Sequence, residues 1–140
     1  MLVHNIKFLS SLFISVLLMS SCSSSSNSNT EGNLICAFIE NYNDQKAQAL
    51  ISAARGESAR EFIETGLMGL SESFKSNPEV AIIYDKFFQA MTSWGARVDI
   101  YTLVQNQSDL SSAGKELETK IDDLAPLCKN LGWTFKNSWR

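Results

Sequence analysis

Three cysteines, one histidine and a short run of glutamates are the residues of this chain whose types could carry chemistry. His4 lies near the start, and Cys22, Cys36 and Cys128 are spread through the rest. Glu57, Glu61 and Glu64 fall at i, i+4 and i+7, one face of a helix. Such a stripe can bind a cation or do acid–base work. Arg55 and Arg60 stand beside it, so the pattern reads as a solvated charged face. Helical-bundle di-metal sites pair glutamates with histidines in Glu-x-x-His motifs, and no such motif occurs here. No metal and no cofactor is therefore expected. Gly-x-Ser-x-Gly, P-loop and Gly-x-Gly-x-x-Gly patterns are also absent.

Cys22 stands at the end of an apolar leader. Met1 to Lys7 carries one fixed positive charge, at Lys7, and Phe8 to Met19 follows with no charge at all. A positive n-region and a short apolar h-region predict a signal peptide over residues 1–21. The apolar run is too short for a membrane-spanning helix, which needs about 20 residues. Met19-Ser20-Ser21-Cys22 resembles the lipobox of bacterial lipoproteins: an apolar residue, two small residues, then cysteine. The resemblance implies a diacylglyceryl thioether on Cys22, cleavage after Ser21 and a palmitate-type acyl anchor in the membrane. Two or more acyl chains anchor stably, whereas one binds only marginally. The implied location is the cell envelope, on the extracytoplasmic side of the cytoplasmic membrane, or the outer membrane where the source has one.

Residues 22–32 then read as the lipidated cysteine and a flexible Ser/Asn-rich tether. Ser23 to Thr30 has no charge and no apolar residue, so it cannot bury enough surface to fold. Such a coil holds the following domain roughly 15–20 Å from the surface. Cleavage would remove His4 and Lys7, leaving eleven Lys and Arg against fifteen Asp and Glu, a net charge of −4. Without histidine, Ser-His-Asp and Cys-His catalysis fall away, as do nearly all zinc and haem sites. Without a basic block, nucleic acid is not an expected partner. Cys36 and Cys128 are then the remaining pair, and in an exported protein such a pair is expected to form a disulfide.

The elements that must position these residues are helical. Ile35, Phe38, Ile39, Tyr42, Ala49 and Ala53 predict a first helix over about 33–55, with Asn43-Asp44 as a candidate break and Gly56 as its end. Phe62, Ile63, Leu67, Leu70 and Phe74 predict a second over 57–76, with Gly66 and Gly69 as close-packing points or a local loosening. Asn77-Pro78-Glu79 is a strong start signal for a third helix reaching about Gln105, with Gly95 as the expected bend. Leu110, Leu117, Ile121, Leu124, Leu127 and Leu131 predict a fourth, starting between Asn106 and Gly114 and stopped by Gly132. The expected fold is all-α, with 33–140 forming an antiparallel four-helix up-down bundle closed by one disulfide. In that arrangement Cys36 and Cys128 meet at one pole.

Five aromatic or sulfur-bearing residues are candidate ligand or partner contacts: Phe88, Met91, Trp94, Trp133 and Trp139. Phe87, Met91 and Trp94 can line a small-molecule pocket in the third helix, Phe88 lies off the main stripe, and Trp133 and Trp139 flank Phe135 in the C-terminal segment. Gly66-Leu67-Met68 is similar to a fragment of the lytic transglycosylase motif, but Glu57-Ser58 stands at the wrong spacing and Gly69 replaces a required Gln. The expected role is a non-enzymatic interaction module reaching an envelope protein partner. The alternative is a binding protein for a small apolar or lipid-like ligand held between the helices.

Overall fold

The computed structural model describes residues 30–74 and 76–136. The expected leader, Cys22, most of the tether and Trp139 lie outside the described residues. Within them the chain forms five α-helices: α1 (Thr30–Glu40), α2 (Tyr42–Ala54), α3 (Ala59–Met68), α4 (Pro78–Val104) and α5 (Gln107–Asn130). A 3-10 turn at Ser71–Phe74 links α3 to α4, and no strand occurs among the described residues. The all-helical expectation holds. The count differs, because the first predicted helix is two helices parted at Asn41, two residues before the expected break. Asn41 leaves the helical path at φ −102° and ψ 22°, and its side-chain amide donates back to the Ala37 carbonyl at 2.9 Å. Asparagine competes in this way with the helix ladder. Thr30, the first described residue, is already helical, and Gly32 is buried.

The helix ends follow local chemistry. Gly56 and Gly132 have φ of 83° and 87°. Each closes a helix by paired bonds in the Schellman pattern: Glu57 N–H to Ser52 C=O and Gly56 N–H to Ala53 C=O, then Trp133 N–H to Cys128 C=O and Gly132 N–H to Lys129 C=O. Asn77 Oδ1 accepts from the backbone N–H groups of Glu79 and Val80, Pro78 takes the first helical position, and Gln105 ends α4 in the left-handed region at φ 53°. Asn106 caps α5 by accepting from Ser108 N–H at 3.2 Å. Gly66 and Gly69 are not close-packing points. A Cβ at either would meet nothing within 4 Å, and Gly69 stands at the end of α3.

α4 is the axis of the fold. It is 27 residues long, about 40 Å at 1.5 Å per residue, and packs on all four other helices, most extensively on α3 and α5. Its inner face supplies Val80, Ile83, Phe87, Met91, Trp94 and Val98 to the core, where Ile35, Ile39, Ile63, Leu67, Phe74, Leu117, Ile121 and Leu124 meet them. Gly95 does not interrupt α4, and the glycine marks a close approach of α3: a Cβ there would stand 2.9 Å from Arg60 Cα. The expected disulfide is present, with Cys36 and Cys128 fully buried and their Cα atoms 5.7 Å apart.

A carboxylate locks α3 onto α4. Asp99 Oδ2 accepts from Ser58 Oγ at 2.7 Å and from Arg60 N–H at 3.2 Å, while Oδ1 accepts from Ala59 N–H at 2.6 Å. Ser58 Oγ itself accepts from Glu61 N–H, so the first turn of α3 is capped locally and by its neighbour. The negative charge also meets the positive end of the α3 dipole. Asp99→Ala is expected to cost about 2 kcal/mol, since hydrogen bonds to a charged group contribute roughly 1.5–3 kcal/mol. The denaturation midpoint would report it; a midpoint unchanged from the parent chain would remove Asp99 from this role.

Candidate functional site

A concavity lies where α1, α2 and α3 converge. It is an open groove of about 630 Å³. Phe38 comes from α1, Asp44, Gln45 and Gln48 from one turn of α2, and Phe62, Ile63 and Leu67 from α3. Ile63 and Leu67 are buried, while Phe38 and Phe62 are half-buried, so the groove has an apolar floor and aromatic walls. Gln45 Nε2 donates to the Phe38 carbonyl at 3.1 Å, which ties the start of α2 to α1 across the Asn41 break. Gly66 contributes no side chain, and the space above its Cα is open. The short connection Arg55–Ser58 leads the chain from α2 into α3, and Glu57 and Glu61 line the groove together with Asp44.

Electrostatically the rim has one sign. Asp44, Glu57 and Glu61 are exposed carboxylates lining the groove, and no Lys or Arg lines it. Glu64, the third member of the acidic stripe, is turned to a different use, accepting from Arg60 Nε at 2.6 Å. Among the described residues, no cluster of three or more His, Cys, Asp or Glu is placed to hold a metal ion.

The candidate contacts of α4 and the C-terminal segment lie elsewhere. Met91 is fully buried and Trp94 is 4% exposed, both in the central core beside Phe87. Beside Ala90 and Trp94 there is a dimple of about 10 Å³, room for no more than about one water. The Lys46 ammonium lies 5.6 Å from the ring centres of both Trp94 and Tyr42, within the range of cation–π attraction. Phe88 is half-buried, its ring 5.9 Å from that of Tyr84. Tyr84 donates to the Leu67 carbonyl at 2.9 Å; burial first, and then the nearby Asp85 charge, push its phenol above the usual value. Trp133 is half-buried against the core, and its Nε1 is buried with no hydrogen-bond partner. Cys36 and Cys128 are joined, and Cys22 and Trp139 lie outside the described residues.

None of the candidates among the described residues lines the groove. Sequence reasoning assigned Phe62, Ile63 and Leu67 to the core and Glu57 and Glu61 to a solvated face. The available signal was that the two sets interleave on one short helix, so that the margin between them had to be partly open. Among the described residues, no helix is long and apolar enough to cross a membrane. Comparison of the chain with protein-family models, with curated proteins and with solved structures gives no match in any of the three.

Proposed function

We propose that this chain is a lipid-anchored, non-enzymatic recognition module of the cell envelope, and that it recognises its partner through the α1–α2–α3 groove. The observation that carries the recognition part is the groove itself: some 630 Å³, within the roughly 300–1,000 Å³ of ordinary ligand sites. The filled core at Phe87, Met91 and Trp94 argues against an enclosed ligand chamber between α4 and its neighbours. An apolar patch at the end of α4, where Ile100, Leu103 and Val104 are 54%, 84% and 67% exposed, adds a second surface available to an envelope protein. The non-enzymatic reading is supported by the lack of histidine after His4 and by the engagement of Glu64 with Arg60.

We also read α1 and α2 as one limb bent at Asn41, which makes the architecture an antiparallel up-down bundle of four limbs. The bridge from Cys36 to Cys128 supports this, because it ties the first limb near its start to the last limb near its end. The alternative role, binding of a small apolar or lipid-like ligand, is favoured by the apolar groove floor and moves the expected site from α4 to α3.

The anchor part rests on Met19-Ser20-Ser21-Cys22. Expressed in a bacterial host, the wild-type chain is expected to carry a mature mass starting at Cys22 plus its acyl groups, and to pellet with membranes. Cys22→Ala should abolish the acyl mass and leave the leader uncleaved at Ser21. A variant mature mass differing from wild type only by the side-chain exchange would overturn the anchor.

A further inference from the structure

This inference rests on the groove as the recognition site. We propose that its ligand is a hydrophobic organic cation: one acyl chain or ring system bearing an amine or ammonium group. The apolar body would lie on Phe38, Phe62, Ile63 and Leu67, along the face of α3. That helix is ten residues long, about 15 Å, which matches a medium-length alkyl chain or two fused rings rather than an extended partner surface.

The charge at the rim selects the head group. Asp44 lines the groove from α2, Glu57 from the α2–α3 connection and Glu61 from α3, and among the described residues no ion pair holds any of them. The remaining polar residues there are neutral, chiefly Gln45 and Gln48. An anionic amphiphile would bring its charge against three carboxylates. A neutral one would gain nothing from them. A cation meets all three, and Phe38 and Phe62 offer ring faces that attract cations as well. Each carboxylate attracts a cation and repels an anion at contact distance even in water. The sum, set against repulsion of an anion, translates into a preference on the order of tenfold or more at low salt, shrinking as salt screens the rim.

The test uses the full chain in lipid nanodiscs, with empty nanodiscs as blank. The probes are a dansyl-labelled alkyl chain ending in a primary amine and its twin ending in a carboxylate. Fluorescence titration is expected to show the amine binding at least about tenfold tighter. The triple variant Asp44→Asn, Glu57→Gln, Glu61→Gln changes only exposed side chains and is expected to abolish the preference; Phe62→Ser is expected to weaken both probes. Equal binding of the two probes, both weakened by Phe62→Ser, would overturn the cationic ligand and leave the groove as a recognition site. Binding of neither probe would overturn both. A preference that survives the triple variant would place the cation elsewhere and overturn the proposal.

Discussion

Gly95→Leu is expected to destabilise the fold by about 3 kcal/mol or more, while Gly66→Ala is expected to stabilise it by about 1 kcal/mol. Both glycines lie inside helices, where alanine is intrinsically the better residue by about 1 kcal/mol. Their surroundings reverse the sign. A Cβ at Gly95 would meet Arg60 Cα and Ile63 Cδ1 at 2.9 Å and Arg60 N at 3.0 Å, and two of those three atoms are backbone. Backbone does not move aside as a side-chain tip does, so α3 must retreat as a body. Asp99 stands one turn further along α4, on the same side, and its carboxylate holds the first turn of α3 by three hydrogen bonds. The retreat that accommodates a larger residue therefore breaks those bonds as well. Overpacking alone costs roughly 1–3 kcal/mol, and stranding a charged hydrogen-bond acceptor adds to it. Gly95→Ala should fall between, losing more to the crossing than it gains in propensity. Urea denaturation of the three variants checks this; a Gly95→Leu midpoint equal to the parent's would mean that α3 and α4 do not cross there.

The same two glycines mark how far the sequence could be read. Local signals were legible because they act over a few residues: Asn77-Pro78-Glu79 placed the start of α4, Gly132 the stop of α5, and the cysteine pair the one covalent closure. Apolar periodicity gave the all-helical class. Breaks inside a continuous stripe were harder. Tyr42 keeps the helical spacing with Ile35 and Ile39, so nothing in the pattern distinguishes one helix from two, and the break at Asn41 shows only in the backbone, where its side chain joins its own N–H in bonding the Ala37 carbonyl. Gly95 reads as a flaw in a helix until the neighbouring backbone is known. The groove was illegible for a related reason: Phe62, Ile63 and Leu67 carry the stripe of a core helix, and only the packing of three helices leaves their outer edge uncovered. Met91 and Trp94 drew attention by type, yet both are buried in the core.

Removing the Cys36–Cys128 bridge, by Cys36→Ala with Cys128→Ala or by reduction of the parent chain, is expected to cost about 4–5 kcal/mol. The two cysteines are separated by 92 residues, and the loop-entropy argument assigns a closure of that size a stabilisation in this range. A single domain has about 5–15 kcal/mol in total, so the loss consumes a large part of it. It should fall first on α1. That helix is eleven residues long, below the length at which an isolated helix holds itself together. It packs less extensively on α4 and α5 than those two do on each other. Hydrogen exchange is therefore expected to speed up across Thr30–Glu40 while the α3–α4–α5 unit keeps its protection. A midpoint shift under about 1 kcal/mol would show that packing alone secures α1. Uniform acceleration along the whole chain would show that α1 does not open separately. If Cys22 carries the anchor, the consequence reaches the groove. Tension carried by such an anchor would reach α1 from its N-terminal side, and the bridge at Cys36 would pass it to α5. Phe38, two residues beyond Cys36, then stays seated in the groove wall. Without the bridge that load falls on α1 itself, and loss of α1 would strip the groove of one of its two aromatic walls.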